Sequence, residues 1–117
     1  METQCFEAQF RVHPTKLHPS FKTINFGILT IWLFDLDKES ATTRAKAIAV
    51  QYPYHVGDGK VIPLDDGGKL LPYQEDGVAK AGMLGINVEL QWYDHTVNEQ
   101  ENLKDWPYLV PPINVQG

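Results

Sequence analysis

The sequence predicts a single α+β domain, and three observations predict it. Two segments alternate apolar and polar residues with a period of two, residues 6–13 and 86–93. Between them lies a nine-residue apolar run from Phe26 to Phe34 that is rich in β-branched and aromatic side chains. Behind that run, alanines recur at helical spacing. At 117 residues the chain suits one hydrophobic core.

In the first segment Phe6, Ala8, Phe10 and Val12 alternate with Glu7, Gln9, Arg11 and His13, the pattern of a strand with one apolar face. Pro14 and Pro19 then impose an irregular stretch, because each lacks an N–H and fixes φ. Residues 24–36 are the strongest signal. Ile28, Trp32 and Phe34 fall on one face, and Leu29, Ile31 and Leu33 fall on the other. A strand apolar on both faces must be covered on both, which makes this the expected central strand.

A helix is expected next. Asp37 can cap its first turn, Glu39 suits the positive end of the helix dipole, and Ala41, Ala45, Ile48, Ala49 and Tyr52 form a narrow stripe. Pro53 stops it. Tyr54-His55-Val56, Gly57-Asp58-Gly59 and Lys60-Val61-Ile62 read as a hairpin around a glycine-rich turn, and Asp65-Asp66-Gly67-Gly68 reads as a second turn. Residues 75–84 read as a helix despite Gly77 and Gly82, each costing about 1 kcal/mol relative to alanine. Gly85 can supply its left-handed C-cap. Ile86, Val88, Leu90 and Trp92 then define one face of a last strand. Residues 98–117 contain Pro107, Pro111 and Pro112 and are expected to be an irregular tail packed on the domain of residues 1–97, or on a partner.

This order matches the split βαβ arrangement called ferredoxin-like, a βαββαβ sheet with two helices on one face, here with an extra N-terminal strand. On that topology the helices leave one sheet face open, so the tail or a second subunit must cover it. Symmetric dimers are the commonest oligomers, which favours a homodimer.

Composition narrows the partners. The apolar and charged fractions, 43% and 21%, are those of an ordinary globular domain. The net charge is −5, with seven bases against thirteen acids after residue 34. The ten basic residues are scattered, which disfavours nucleic acid and makes a heterologous partner more plausible if it is basic. Cys5 is the only cysteine, no signal peptide is visible, and the apolar run is too short to span a bilayer. The expectation is a cytoplasmic protein with no membrane association.

Sites of chemistry are weakly marked. Asp35, Asp37 and Asp58 would lie at one sheet edge in the expected topology and could hold a hard cation, although helix capping and turn chemistry already explain their types. His13, His18, His55 and His95 match no zinc spacing, and Cys5 lies in no nucleophile motif. Gly57-Asp58-Gly59-Lys60 lacks the serine or threonine and the earlier glycine of a phosphate-binding loop. No catalytic residue, cofactor site or metal site is therefore expected. Trp106 and Tyr108, with Leu109, are the candidate interaction surface, because aromatic side chains are enriched at binding hot spots.

The reading that follows is a non-enzymatic interaction or accessory module, of which an acidic inhibitor or immunity-type protein is one version. The alternative is a small-ligand-binding domain with its site between subunits or under the tail, marked by a deep, closed pocket that Trp32 or Trp92 lines with convergent polar groups. A minor enzyme using the histidines or the aspartates is the third.

Overall fold

The alternating N-terminal residues form β1 (Gln4–Pro14), and the apolar run forms β2 (Ile24–Asp35). The computed structural model describes residues 2–64 and 70–103. After β2 come α1 (Lys38–Ala49), β3 (Tyr54–Leu64), α2 (Pro72–Leu84), β4 (Ile86–Asp94) and the one-turn helix α3 (Glu99–Asn102). The strands make one four-stranded sheet in the order β3-β1-β2-β4, and every neighbouring pair is antiparallel. The architecture is thus α+β. No described helix is long and apolar enough to cross a membrane.

Segment 54–64 corrects the hairpin expected there: it is one continuous strand. The glycines serve a close crossing of β1 rather than a turn. β3 pairs Gly59 with Phe10 and Val56 with Val12, so the register shifts at this point. A Cβ on Gly59 would lie 2.3 Å from the Gln9 carbonyl oxygen, closer than any side chain can sit. Merging the two short strands into one leaves a single crossover between parallel strands. β2 and β3 both run antiparallel to β1, and α1 carries the chain back between them.

The sheet order therefore differs from the ferredoxin-like expectation in two further ways. The N-terminal strand is no addition at the edge: β1 lies in the middle, between β3 and β2. The two long helices also lie on opposite faces. One face gathers Phe6, Phe10, Leu29, Ile31 and Leu33 against Ala41, Ala45 and Ala49 of α1. The other gathers Cys5, Trp32 and Leu64 against Ala81 of α2, with Phe34, Ile62 and Val78 at its margin. The physical reason is the two-sided apolar character of β2. Leu29, Ile31, Trp32 and Leu33 are each 1% exposed or less, so both faces needed an apolar cover.

Local chemistry sets the helix ends. Asp37 accepts a hydrogen bond from the Ser40 backbone N–H at 2.7 Å, the expected N-cap. α2 starts earlier than its acidic residues suggest, with Pro72 in its first turn, where a missing N–H costs nothing. Gln74 reaches back to accept the Leu71 N–H at 2.9 Å. Gly85 closes α2 with φ of 86° and ψ of −36°, a positive φ that glycine adopts readily but not the αL cap expected of it. Gly77 is needed for packing: a Cβ there would lie 2.4 Å from Cε2 of Trp32. The indole of β2 lies directly against the α2 backbone.

Candidate functional site

α2 covers only part of its sheet face. It lies where β3 ends and β4 begins, and it contacts β2 and β4. Beyond its first turn the same face continues as a groove of about 370 Å³. β1 contributes Gln9, β2 contributes Ile28, Thr30 and Trp32, β4 contributes Glu89, Gln91 and Tyr93, and Tyr73 of α2 forms the wall. Strand register explains the convergence. Gln9 pairs with Thr30, Thr30 with Glu89 and Ile28 with Gln91, so alternate residues of three neighbouring strands project to one side.

The groove is polar on its floor and aromatic along its walls. The Gln9 side-chain amide donates to Thr30 Oγ1 at 3.5 Å. Tyr73 meets the Trp32 ring edge-on, with centroids 6.5 Å apart, and Tyr93 stacks on the buried Phe26 at 4.9 Å. The Trp32 indole N–H donates to Glu7 Oε1 at 3.1 Å, and Gln74 Nε2 approaches the same oxygen at 3.5 Å. Glu7 is only 2% exposed. Burial outweighs these hydrogen bonds and the nearby Lys60, and raises its carboxyl above the ordinary glutamate value. The Tyr73 hydroxyl is raised as well, first by burial and then by the negative charges of Glu7 and Glu89. It therefore stays protonated and able to donate.

A second polar cluster ties α3 to the sheet. Arg11 Nε lies 3.3 Å from Asp58, Arg11 Nη1 lies 3.6 Å from Glu99, and His13 Nε2 lies 2.8 Å from Glu99. Asn98 caps α3 by accepting the Glu101 N–H, and Leu103 is buried just after it. Residues 98–103 thus pack on the domain.

The three aspartates are not brought together. Asp35 pairs with Gln4 at one end of β1, whereas Asp58 meets Arg11 seven residues along that strand, about 23 Å away. Each is already engaged. Asp35 accepts the Leu36 N–H at 2.7 Å and the Arg44 guanidinium at 3.1 Å, and the Leu36 bond is the main reason its carboxyl is held below the usual range. Asp37 is the helix cap. Among the described residues no group of three or more His, Cys, Asp or Glu is placed to hold a metal ion.

The histidines also lie apart from the groove. His13 meets Glu99, His18 sits edge-on to Trp92 at 5.2 Å, and His55 and His95 are exposed. Cys5 is buried beneath α2, its Sγ 3.9 Å from the Phe6 carbonyl oxygen. Trp106, Tyr108 and Leu109 lie outside the described residues, as does the turn expected at Asp65-Asp66-Gly67-Gly68.

Apart from Trp32, the groove residues were missed by sequence reasoning. Gln9, Glu89, Gln91 and Tyr93 read as the outward polar side of two strands, and Thr30 lies inside a run read as apolar. The available signal was shared parity in β1 and β4, where Gln9, Glu89, Gln91 and Tyr93 lie opposite the apolar alternation.

Fold and groove together define an antiparallel α+β domain with one sealed sheet face and one face open to a polar, aromatic-walled groove. No family model matches the chain, and neither a search of curated proteins nor one of solved structures returns a match.

Proposed function

We propose that the protein is a non-enzymatic binding module that takes a small ligand in the groove over β1, β2 and β4. The observation that supports this most is the convergence of two amides, a hydroxyl and a carboxylate on one floor beside Tyr73 and Tyr93. Its volume falls within the usual range for small-molecule sites, roughly 300–1,000 Å³. The described lining is built mainly of amide, hydroxyl and aromatic groups, which suit recognition by hydrogen bonding and stacking. The −5 charge and this lining both disfavour nucleic acid. A cytoplasmic setting belongs to the same reading, supported by a sequence with a single cysteine.

The test is a fragment screen observed by ¹H–¹⁵N NMR on the full chain. Hits should perturb the side-chain amides of Gln9 and Gln91 and the Trp32 indole N–H together, and Tyr73→Ala should abolish those perturbations while the fold persists. A screen whose hits all fall elsewhere, or that has none, counts against the proposal.

A protein partner or second copy is the second reading, and a different observation favours it. Leu36, Met83 and Leu84 are 51%, 83% and 73% exposed. All three lie at the end of the sheet where β2 leaves and β4 enters. This apolar edge replaces the open sheet face as support for a homodimer. Sedimentation equilibrium should then show a dimer that Met83→Ser with Leu84→Ser dissociates; a monomeric parent chain would remove this reading.

A further inference from the structure

We infer that the ligand of the groove is a small organic cation, an ammonium or guanidinium group on a short apolar stem. This rests on the groove reading and adds the chemical class. Glu89 is the one ionised side chain in the described lining. The cations on the same face, Lys60 beside Gln9 and Arg11 beside Ile28, lie toward β3, and Arg11 is already engaged by Asp58 and Glu99. A phosphate or carboxylate placed beside Glu89 would meet a like charge, whereas a cation would find a partner for its own.

The remaining groups fit the same ligand. Tyr73 and Tyr93 present aromatic surface in the same lining, and ring faces attract ammonium and guanidinium groups electrostatically. Gln9 donates its amide N–H to Thr30, which leaves its carbonyl oxygen to accept from a charged donor. Ile28 supplies apolar surface for the stem.

A neutral sugar also likes amides and aromatic faces, so the test must separate charge from polarity. Agmatine, methyl α-glucoside and glutarate serve as cationic, neutral and anionic probes, titrated into the full chain and into Glu89→Gln. Glu89 is exposed, so the variant should fold. Agmatine should bind saturably, move the amide signals of Thr30, Gln91 and Tyr93, and weaken as salt is raised. Glu89→Gln should weaken it by about tenfold or more, as expected for loss of a charged hydrogen-bond partner. If methyl α-glucoside or glutarate perturbs those signals at lower concentration than agmatine, the cation assignment fails and the groove reading stands. Agmatine binding unchanged by Glu89→Gln also overturns the assignment. If no probe moves a groove signal while the fragment screen yields groove hits, the assignment alone fails; if that screen is empty too, both fall.

Discussion

On the α1 side of the sheet, β1 and β2 present Phe6, Ala8, Phe10, Leu29, Ile31 and Leu33, and three alanines let the helix come close enough to exclude water. On the α2 side the same two strands present Cys5, Glu7, Gln9, Thr30 and Trp32, and the helix lies over only one end. The first face is uniform and needs only volume and apolarity from its helix. The second mixes a large indole, a buried carboxyl and a polar floor, so its closure depends on individual contacts. The difference teaches where substitutions will be felt as lost stability and where as lost binding.

Trp32→Ala should have the largest effect, a loss of about 3–5 kcal/mol in urea unfolding, because it empties the centre of the α2 core. It also takes the indole N–H from the buried Glu7. A loss near 1 kcal/mol would mean that α2 does not seal that face.

The two glycines of α2 sharpen the point, because helix propensity alone favours alanine at both. Gly77→Ala should instead destabilise by about 1–3 kcal/mol, since its Cβ would enter the Trp32 ring. Gly82→Ala meets only Phe34 at 3.9 Å and should stabilise by roughly 0.5–1 kcal/mol. Equal, stabilising shifts in thermal melts would contradict the packing described.

On the uniform face, Asp37→Ala tests local capping alone. About 1 kcal/mol should be lost, and Asp37→Asn should recover most of it. No recovery would show that something other than the Ser40 N–H bond is at stake.

The smallest effect concerns pH. Burial raises Glu7, so the folded state holds that proton more tightly than the unfolded chain, and the fold loses stability as pH rises through the raised value. Glu7→Gln keeps an oxygen for the Trp32 N–H but has no proton to lose. Its stability relative to the parent chain should therefore improve steadily from acid to neutral pH. Asp35 and Asp94 act in the opposite sense. Their lowered carboxyls contribute stability above the ordinary aspartate range and lose it as pH falls through their folded values. They remain in both proteins and cancel in the difference. A pH-independent difference would contradict the assignment to Glu7.

Much of the uniform face was legible in the sequence, because its causes are local or strictly periodic. The alternation at Phe6–Val12 and Ile86–Trp92, the alanine stripe and the Asp37 cap each declare themselves within a few residues. The need to cover β2 on both sides was legible too. What supplies the cover was not. Gly77 reads as a weak point in a helix until Trp32 is seen against it. Gly57 and Gly59 read as a turn until the β1 backbone is seen beside them. The groove is harder still: its residues come from three strands and a helix, and no stretch of sequence places Tyr73 beside Glu89 and Gln91.

The central claim is that α1 and α2 cover opposite faces of one sheet, leaving the groove beside the second. Proton–proton NOE contacts in the full chain test it most directly. Gly77 Hα protons should contact the Trp32 ring, while the methyls of Ala41, Ala45 and Ala49 contact the Leu29, Ile31 and Leu33 side chains and never the indole. Contacts from both helices to the same set of β2 side chains would contradict it.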